Sequence, residues 1–123
     1  SDFKPDTVFT HSECDSNKDH VKVHDATIIA TRPDCGVEGV YTYEVLSSTE
    51  WGFNQAFTPN VFFSLSETNV NEKYEALDKY VSEVRPFPHP RSKKGIVTLA
   101  TQRGMQSGNS FAEAFRLIRH IYK

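Results

Sequence analysis

The 123-residue chain is 37% hydrophobic and 24% charged, which provides for one soluble globular domain with a single core. Its 14 basic and 16 acidic residues are interleaved and leave a net charge of -2, which excludes a field built to attract a phosphate backbone, so no nucleic acid is expected as a partner. No apolar run reaches bilayer length, the first residues lack the apolar stretch of a signal peptide, and two cysteines, Cys14 and Cys35, are too few for a disulfide framework; a cytoplasmic, reducing setting without a membrane span is expected.

Along the chain, Val8-Phe9-Thr10 reads as a short buried strand, followed by polar residues from His11 to Asn17. Val21, His24, Ala26, Ile28 and Ile29 then approximate helical spacing until Pro33. After a turn at Gly36 and Gly39, Val40 to Leu46 alternates with strand period. Residues 47 to 60 form a polar loop that contains Trp51, Phe53 and Phe57, and Val61 to Leu65 is again strand-like.

Asn69 is placed to cap a helix from Val70 to about Val84, with Tyr74, Leu77, Val81 and Val84 on one face and Pro86 beyond its end. The prolines at 86, 88 and 90 exclude a helix there, and Ser92 caps a second one that runs through Ile96, Leu99, Ala100 and Arg103 to Gly104 or Gly108. From Phe111 to Tyr122 the apolar residues fit either a helical face or an alternating strand, and periodicity leaves both open.

The densest polar cluster, Asp15-Ser16-Asn17-Lys18-Asp19-His20, lies between the first strand and the first helix. In open α/β sheets ligands bind at that edge, and a helix N-terminus there favours anionic groups. An imidazole beside a carboxylate suits a metal, with the acid as ligand or orienter; the plainer reading is that Asn17 or Asp19 caps the helix. His24, one turn beyond His20, either pairs with it as a ligand or is a partly buried structural histidine, and the second reading is favoured for want of a further acid at suitable spacing.

His89 and Arg91 sit in a proline-stiffened loop, where a guanidinium fork suits carboxylate, phosphate or sugar hydroxyls or else bonds backbone carbonyls. Glu113, in an apolar segment, needs a partner, either a ligand or a base such as Arg103. Trp51 and Phe53 either stack on a sugar ring or form a satellite core. Serine elbows, CxxC pairs and phosphate-cradling glycine loops are absent from the sequence, which argues against thiol and serine catalysis.

Three stretches together resemble the LmbE/PIG-L deacetylases. Pro5-Asp6-Thr7-Val8-Phe9-Thr10-His11, then Asn17-Lys18-Asp19-His20 and Val23-His24-Asp25-Ala26-Thr27, resemble a PDxVFTH strand, an HPDH or NQDH motif and a helix. Phe57-Thr58-Pro59-Asn60-Val61-Phe62, with Lys73 and Ala76-Leu77, is similar to an FxPNxF strand and its helix. Pro88-His89-Pro90-Arg91-Ser92, Arg103-Gly104, Gly108 and Ala112-Glu113-Ala114-Phe115 resemble a PHPRS…RG…G…AEAF ending. Each motif alone is weak; their order and spacing, over almost the whole chain, carry the resemblance.

The resemblance implies an α/β fold, a Rossmann-like three-layer domain with a mostly parallel sheet, of which residues 1–123 form the C-terminal portion without the N-terminal strands. It implies Zn2+ at the strand ends, where metal-activated water attacks an N-acetyl carbonyl of an acetamido-sugar substrate and releases acetate. His20 is then a zinc ligand, Asp19 positions groups around the site, and Asn17 stands where the family often has histidine, which leaves it hydrogen-bond donation without a proton relay. Arg91, His89, Trp51 and Glu113 are the substrate-facing candidates.

The family's other two ligands and its general base come from an AHPDDE-like motif, which this sequence does not contain. The expectation is therefore that the parent protein is the deacetylase. Alone, this chain is expected to have negligible activity, an incomplete zinc site, and an apolar sheet edge that pairs with a complementary N-terminal segment or a second copy. The alternative is a non-catalytic carbohydrate-binding or scaffold domain of the same fold.

Overall fold

The computed structural model describes residues 3–123. In chain order it contains β1 (Thr7–His11), α1 (Lys18–Ala30), a 3-10 turn (Pro33–Cys35), β2 (Gly39–Tyr43), β3 (Val61–Leu65), α2 (Glu67–Asp78), α3 (Lys93–Ser107) and β4 (Phe111–His120). The strands form one open sheet in the order β1-β2-β4-β3. This is a mixed α/β fold.

The expected mostly parallel sheet is corrected here. β1 and β2 run parallel, but β4 enters antiparallel to β2. The reason lies in the segment whose period was open. Ala112 and Ala114 are each 1% exposed and alternate with half-buried neighbours, a two-residue burial period that only a strand satisfies. No helix among the described residues is long and apolar enough to cross a membrane.

The chain divides into two compact units, one of residues up to Val61 together with Phe115–Lys123, the other Phe62–Ala114. In the first, the β1–β2 register sets Thr10 opposite Thr42 and His11 opposite Tyr43. Thr10, Val40 and Thr42 are buried, and the Thr10 hydroxyl lies 3.1 Å from that of Thr27 on α1. The alternate residues stack on the other face, Phe9 on Tyr41 at 5.1 Å and edge-on to Phe115 at 5.4 Å.

β1 is therefore not the fully buried strand its composition suggests. It ends the sheet, and Phe9 keeps 48% of its surface exposed. The inward residue of α1 is His24, while Val23, Ile28 and Ile29 stay exposed. β2 stops at Tyr43, short of the expected Leu46, because the Thr49 hydroxyl accepts the Val45 amide at 2.7 Å and folds the chain into a turn.

In the second unit α2 starts one turn earlier than expected. Ser66, not Asn69, is the N-cap; Asn69 is the return half of a capping box, its side chain accepting the Ser66 amide at 3.0 Å. The helix ends at Asp78, which leaves Val81, expected on its apolar face, 93% exposed. α3 follows expectation, with Ser92 as cap and Gly108 at φ 76° closing it in the left-handed region.

Candidate metal and substrate site

The site is assembled where β1 ends, across residues 12–17, and at the first turn of α1. The helix starts there because the Asn17 side-chain carbonyl accepts the amides of Asp19 at 2.9 Å and His20 at 3.4 Å. Asp15 in turn accepts the Asn17 amide through Oδ1 at 2.8 Å. Its Oδ2 takes the Thr49 hydroxyl at 3.0 Å, so the carboxylate is clamped between two loops and its side chain is 0% exposed.

His20 projects from the first helical turn onto this carboxylate, with Nδ1 3.1 Å from Asp15 Oδ2. The approach is close but not aligned as a hydrogen bond, and Nδ1 is buried with no hydrogen-bond partner among the described residues. The His20 ring stacks on His11 with centroids 3.9 Å apart and planes 5° from parallel. His11 Nδ1 is likewise buried without a partner, and its Nε2 lies 3.5 Å from the Tyr43 hydroxyl.

One potential ligand atom from each of His11, Asp15 and His20 falls within 4.8 Å of the others. Burial, and then the neighbouring His20, push the His11 pKa down against the opposing pull of Asp15. Burial, and then the Asp15 charge, push the Tyr43 phenol up, which keeps it a neutral hydrogen-bonding group. Two imidazoles and one carboxylate are a donor set that suits zinc and its neighbours in the transition series better than magnesium or calcium.

Beside Asp15 opens a cleft of about 490 Å³, lined by Cys14, Asp15, Ser16, Trp51 and Phe53 among others. Trp51 is 45% and Phe53 89% exposed, so both keep surface open to solvent. Gly52 presses the aromatic loop directly onto the Asp15 loop: a Cβ there would stand 2.3 Å from the Cys14 carbonyl oxygen, a place only glycine can occupy.

Of the residues expected at the site, His20 enters the cluster and Trp51 lines the cleft beside it. Asn17 serves as the helix cap, and Asp19 is exposed on the first turn; the carboxylate next to His20 is Asp15. His24 is structural, its Nδ1 2.8 Å from the His11 carbonyl and its Nε2 3.6 Å from Glu13.

Arg91, His89 and Glu113 belong to the second unit. Arg91 pairs with Glu83 at 3.4 Å and donates its backbone N–H to His89 Nδ1 at 3.1 Å. Glu113 pairs with Lys73 at 3.3 Å, while Arg103 donates to Gln106 at 2.8 Å. Sequence reasoning missed His11, Tyr43 and Thr49 as site residues. The available signal for His11 was its position as the last residue of β1, opposite Tyr43 in the parallel pair. In comparisons with known proteins, no protein-family model matches this chain and no curated protein matches it.

Proposed function

We propose that this chain is the metal- and substrate-facing part of a zinc-dependent N-deacetylase of the LmbE/PIG-L type, with a Rossmann-like arrangement, which hydrolyses the N-acetyl group of an acetamido sugar or its conjugate. The observation that carries the reading is the His20 imidazole set against a fully buried Asp15 at the edge of a cleft walled by Trp51. The ordered motifs that resemble the deacetylases point the same way.

The residues fit a metal: His11 and His20 each have a buried ring nitrogen without a hydrogen-bond partner among the described residues, and a buried carboxylate lies beside that of His20. A bound divalent ion supplies Lewis acidity and makes water available as a nucleophile at neutral pH. His20 serves as ligand, and Asp15 fixes it while its own position is fixed by Thr49 and the Asn17 amide. The half-exposed Trp51 offers a flat apolar face to a pyranose ring.

Amide hydrolysis also needs a base for the water proton. The resemblance assigns that base to an AHPDDE-type segment, which is not in this sequence, and β1, at the end of the sheet, provides an edge for a complementary strand. The free thiols Cys14 and Cys35 fit a cytoplasmic setting.

The test is acetate release from a panel of N-acetylglucosamine conjugates by the whole protein that contains this chain. Release from at least one conjugate, abolished by chelation and restored by zinc, is expected. Sugar binding without release from any conjugate would favour the carbohydrate-binding domain instead.

A further inference from the structure

We propose that residues 79–94, the connection from α2 to α3, form a docking surface for an anionic lipid membrane, on which the protein lies without spanning it. Neither a metal nor an acetamido sugar is required for this contact.

Charge is segregated in this stretch. It holds five basic residues, Lys79, Arg85, Arg91, Lys93 and Lys94, against one acid, Glu83, for a net of +4 in a chain that totals -2, so the remaining residues carry -6. Glu83 pairs with Arg91 at 3.4 Å, and the surplus is therefore that of Lys79, Arg85, Lys93 and Lys94. Two of these stand where helix physics disfavours them. Lys93 and Lys94 occupy the first turn of α3, at the positive end of its dipole, with no acid in that turn. Cations kept there weaken the helix, so their placement answers to something outside it.

Apolar side chains protrude from the same stretch: Tyr80 is 68%, Val81 93% and Phe87 61% exposed. Ser82, at φ 67°, takes a left-handed conformation unusual for serine and turns the chain directly after Val81. Arg85 joins the two apolar tips into one hydrogen-bonded body. Its Nε donates to the Ser82 carbonyl at 3.3 Å, and its backbone N–H donates to the Arg91 carbonyl at 3.0 Å, which closes residues 85–91 around Phe87. Lys94 Nζ lies 4.4 Å from the centre of the Phe87 ring, so cation and apolar ring share one surface. Apolar residues exposed singly are ordinary, but three in close succession held among cations form a patch.

An acidic protein is the competing partner. Charge alone would serve it, and it gives no role to Val81 and Phe87. A membrane surface uses both features: the apolar tips sink to the acyl boundary while the lysines stay at the headgroups with their stems along that boundary. Tyr80, with an apolar ring and a polar tip, suits the same depth.

The test is co-sedimentation of the protein with vesicles of phosphatidylcholine alone and of phosphatidylcholine with an equal part of phosphatidylserine. The expected result is binding to the mixed vesicles at least about tenfold tighter than to the neutral ones, weakening as salt is raised. Lys94→Glu should weaken it by about tenfold or more, since each basic residue near an anionic surface strengthens binding roughly fivefold and the substitution also adds an opposing charge. Lys22→Glu, the same change of charge at an exposed position of α1, should alter it by less than about twofold. Val81→Asp, at an exposed site that tolerates substitution, should weaken binding by about tenfold or more.

No preference for the anionic vesicles, or equal losses from Lys22→Glu and Lys94→Glu, overturns the proposal. Loss with Lys94→Glu but none with Val81→Asp shows binding by charge alone, as an acidic protein would give, and overturns it as well. The comparison of the two vesicle types uses the unsubstituted protein, so a variant that fails to fold cannot obscure it. Acetate release, present or absent, bears only on the deacetylase reading, so the two can fail separately.

Discussion

The rings of His11 and His20 lie 3.9 Å apart and 5° from parallel, one delivered by the last residue of β1 and the other by the first turn of α1. Loop residues 12–17 bring them together because Asp15 and Asn17 successively accept the amides that would otherwise open the helix start. The stack makes one imidazole a part of the other's environment, and that has consequences for pH, stability and ligand binding.

The folded chain holds the His11 pKa below 6.5, chiefly through burial and secondarily through His20. In the window between that lowered value and 6.5 the unfolded chain binds more protons, so stability rises with pH there and is lost as pH falls through it. Thermal unfolding should therefore show a larger loss between about pH 7 and 5 in the unsubstituted chain than in His11→Asn. Equal losses would contradict this assignment.

Asp15→Ala should cost on the order of 2–4 kcal/mol in urea unfolding, because it leaves the Thr49 hydroxyl and the Asn17 amide without their acceptor in a buried site. A cost under about 0.5 kcal/mol, the size of an ordinary surface substitution, would show that the carboxylate is not the clamp described.

Asn17→Ala removes the cap of α1 and should cost about 1 kcal/mol by the same measurement. The His20 ring resonance should move as well, since its backbone amide is one of the two that Asn17 holds.

Glu113→Ala should cost less than about 1 kcal/mol, since the Lys73–Glu113 pair is nearly half exposed on both sides and screened by water. A larger cost would reveal a role for Glu113 that this pair does not supply.

Trp51→Ala should cost about 2 kcal/mol in unfolding, roughly half the value for a fully buried Trp since the residue is 45% exposed, and should weaken binding of an N-acetylglucosamine conjugate by roughly 3- to 10-fold. Calorimetric titration checks the second part, and unchanged affinity would remove Trp51 from the substrate wall.

The sequence made the local features legible and left the pairings obscure. Ser92 and Gly108 bound α3 as expected, because a cap is read from a few neighbouring residues. Ser66 and Asn69 are equally good cap residues and belong to the same capping box, so the sequence does not separate them. β4 could not be told from a helix by its apolar period, since only its place in the sheet supplies the two-residue burial pattern.

At the site, the polar hexad from Asp15 to His20 was legible as a cluster, and Asn17 as a cap. The choice of Asp15 over Asp19 as the partner of His20 depends on Thr49, far along the chain, which buries one carboxylate and leaves the other in water. His11 and Tyr43 meet only through strand register.

Whether His20 serves as a metal ligand of an N-deacetylase is decided by kcat/KM for acetate release from an N-acetylglucosamine conjugate. The measurement compares the whole protein with its His20→Ala variant at saturating zinc. A fall of at least about a thousandfold together with loss of bound zinc is expected; a variant that keeps both its rate and its zinc would overturn the assignment.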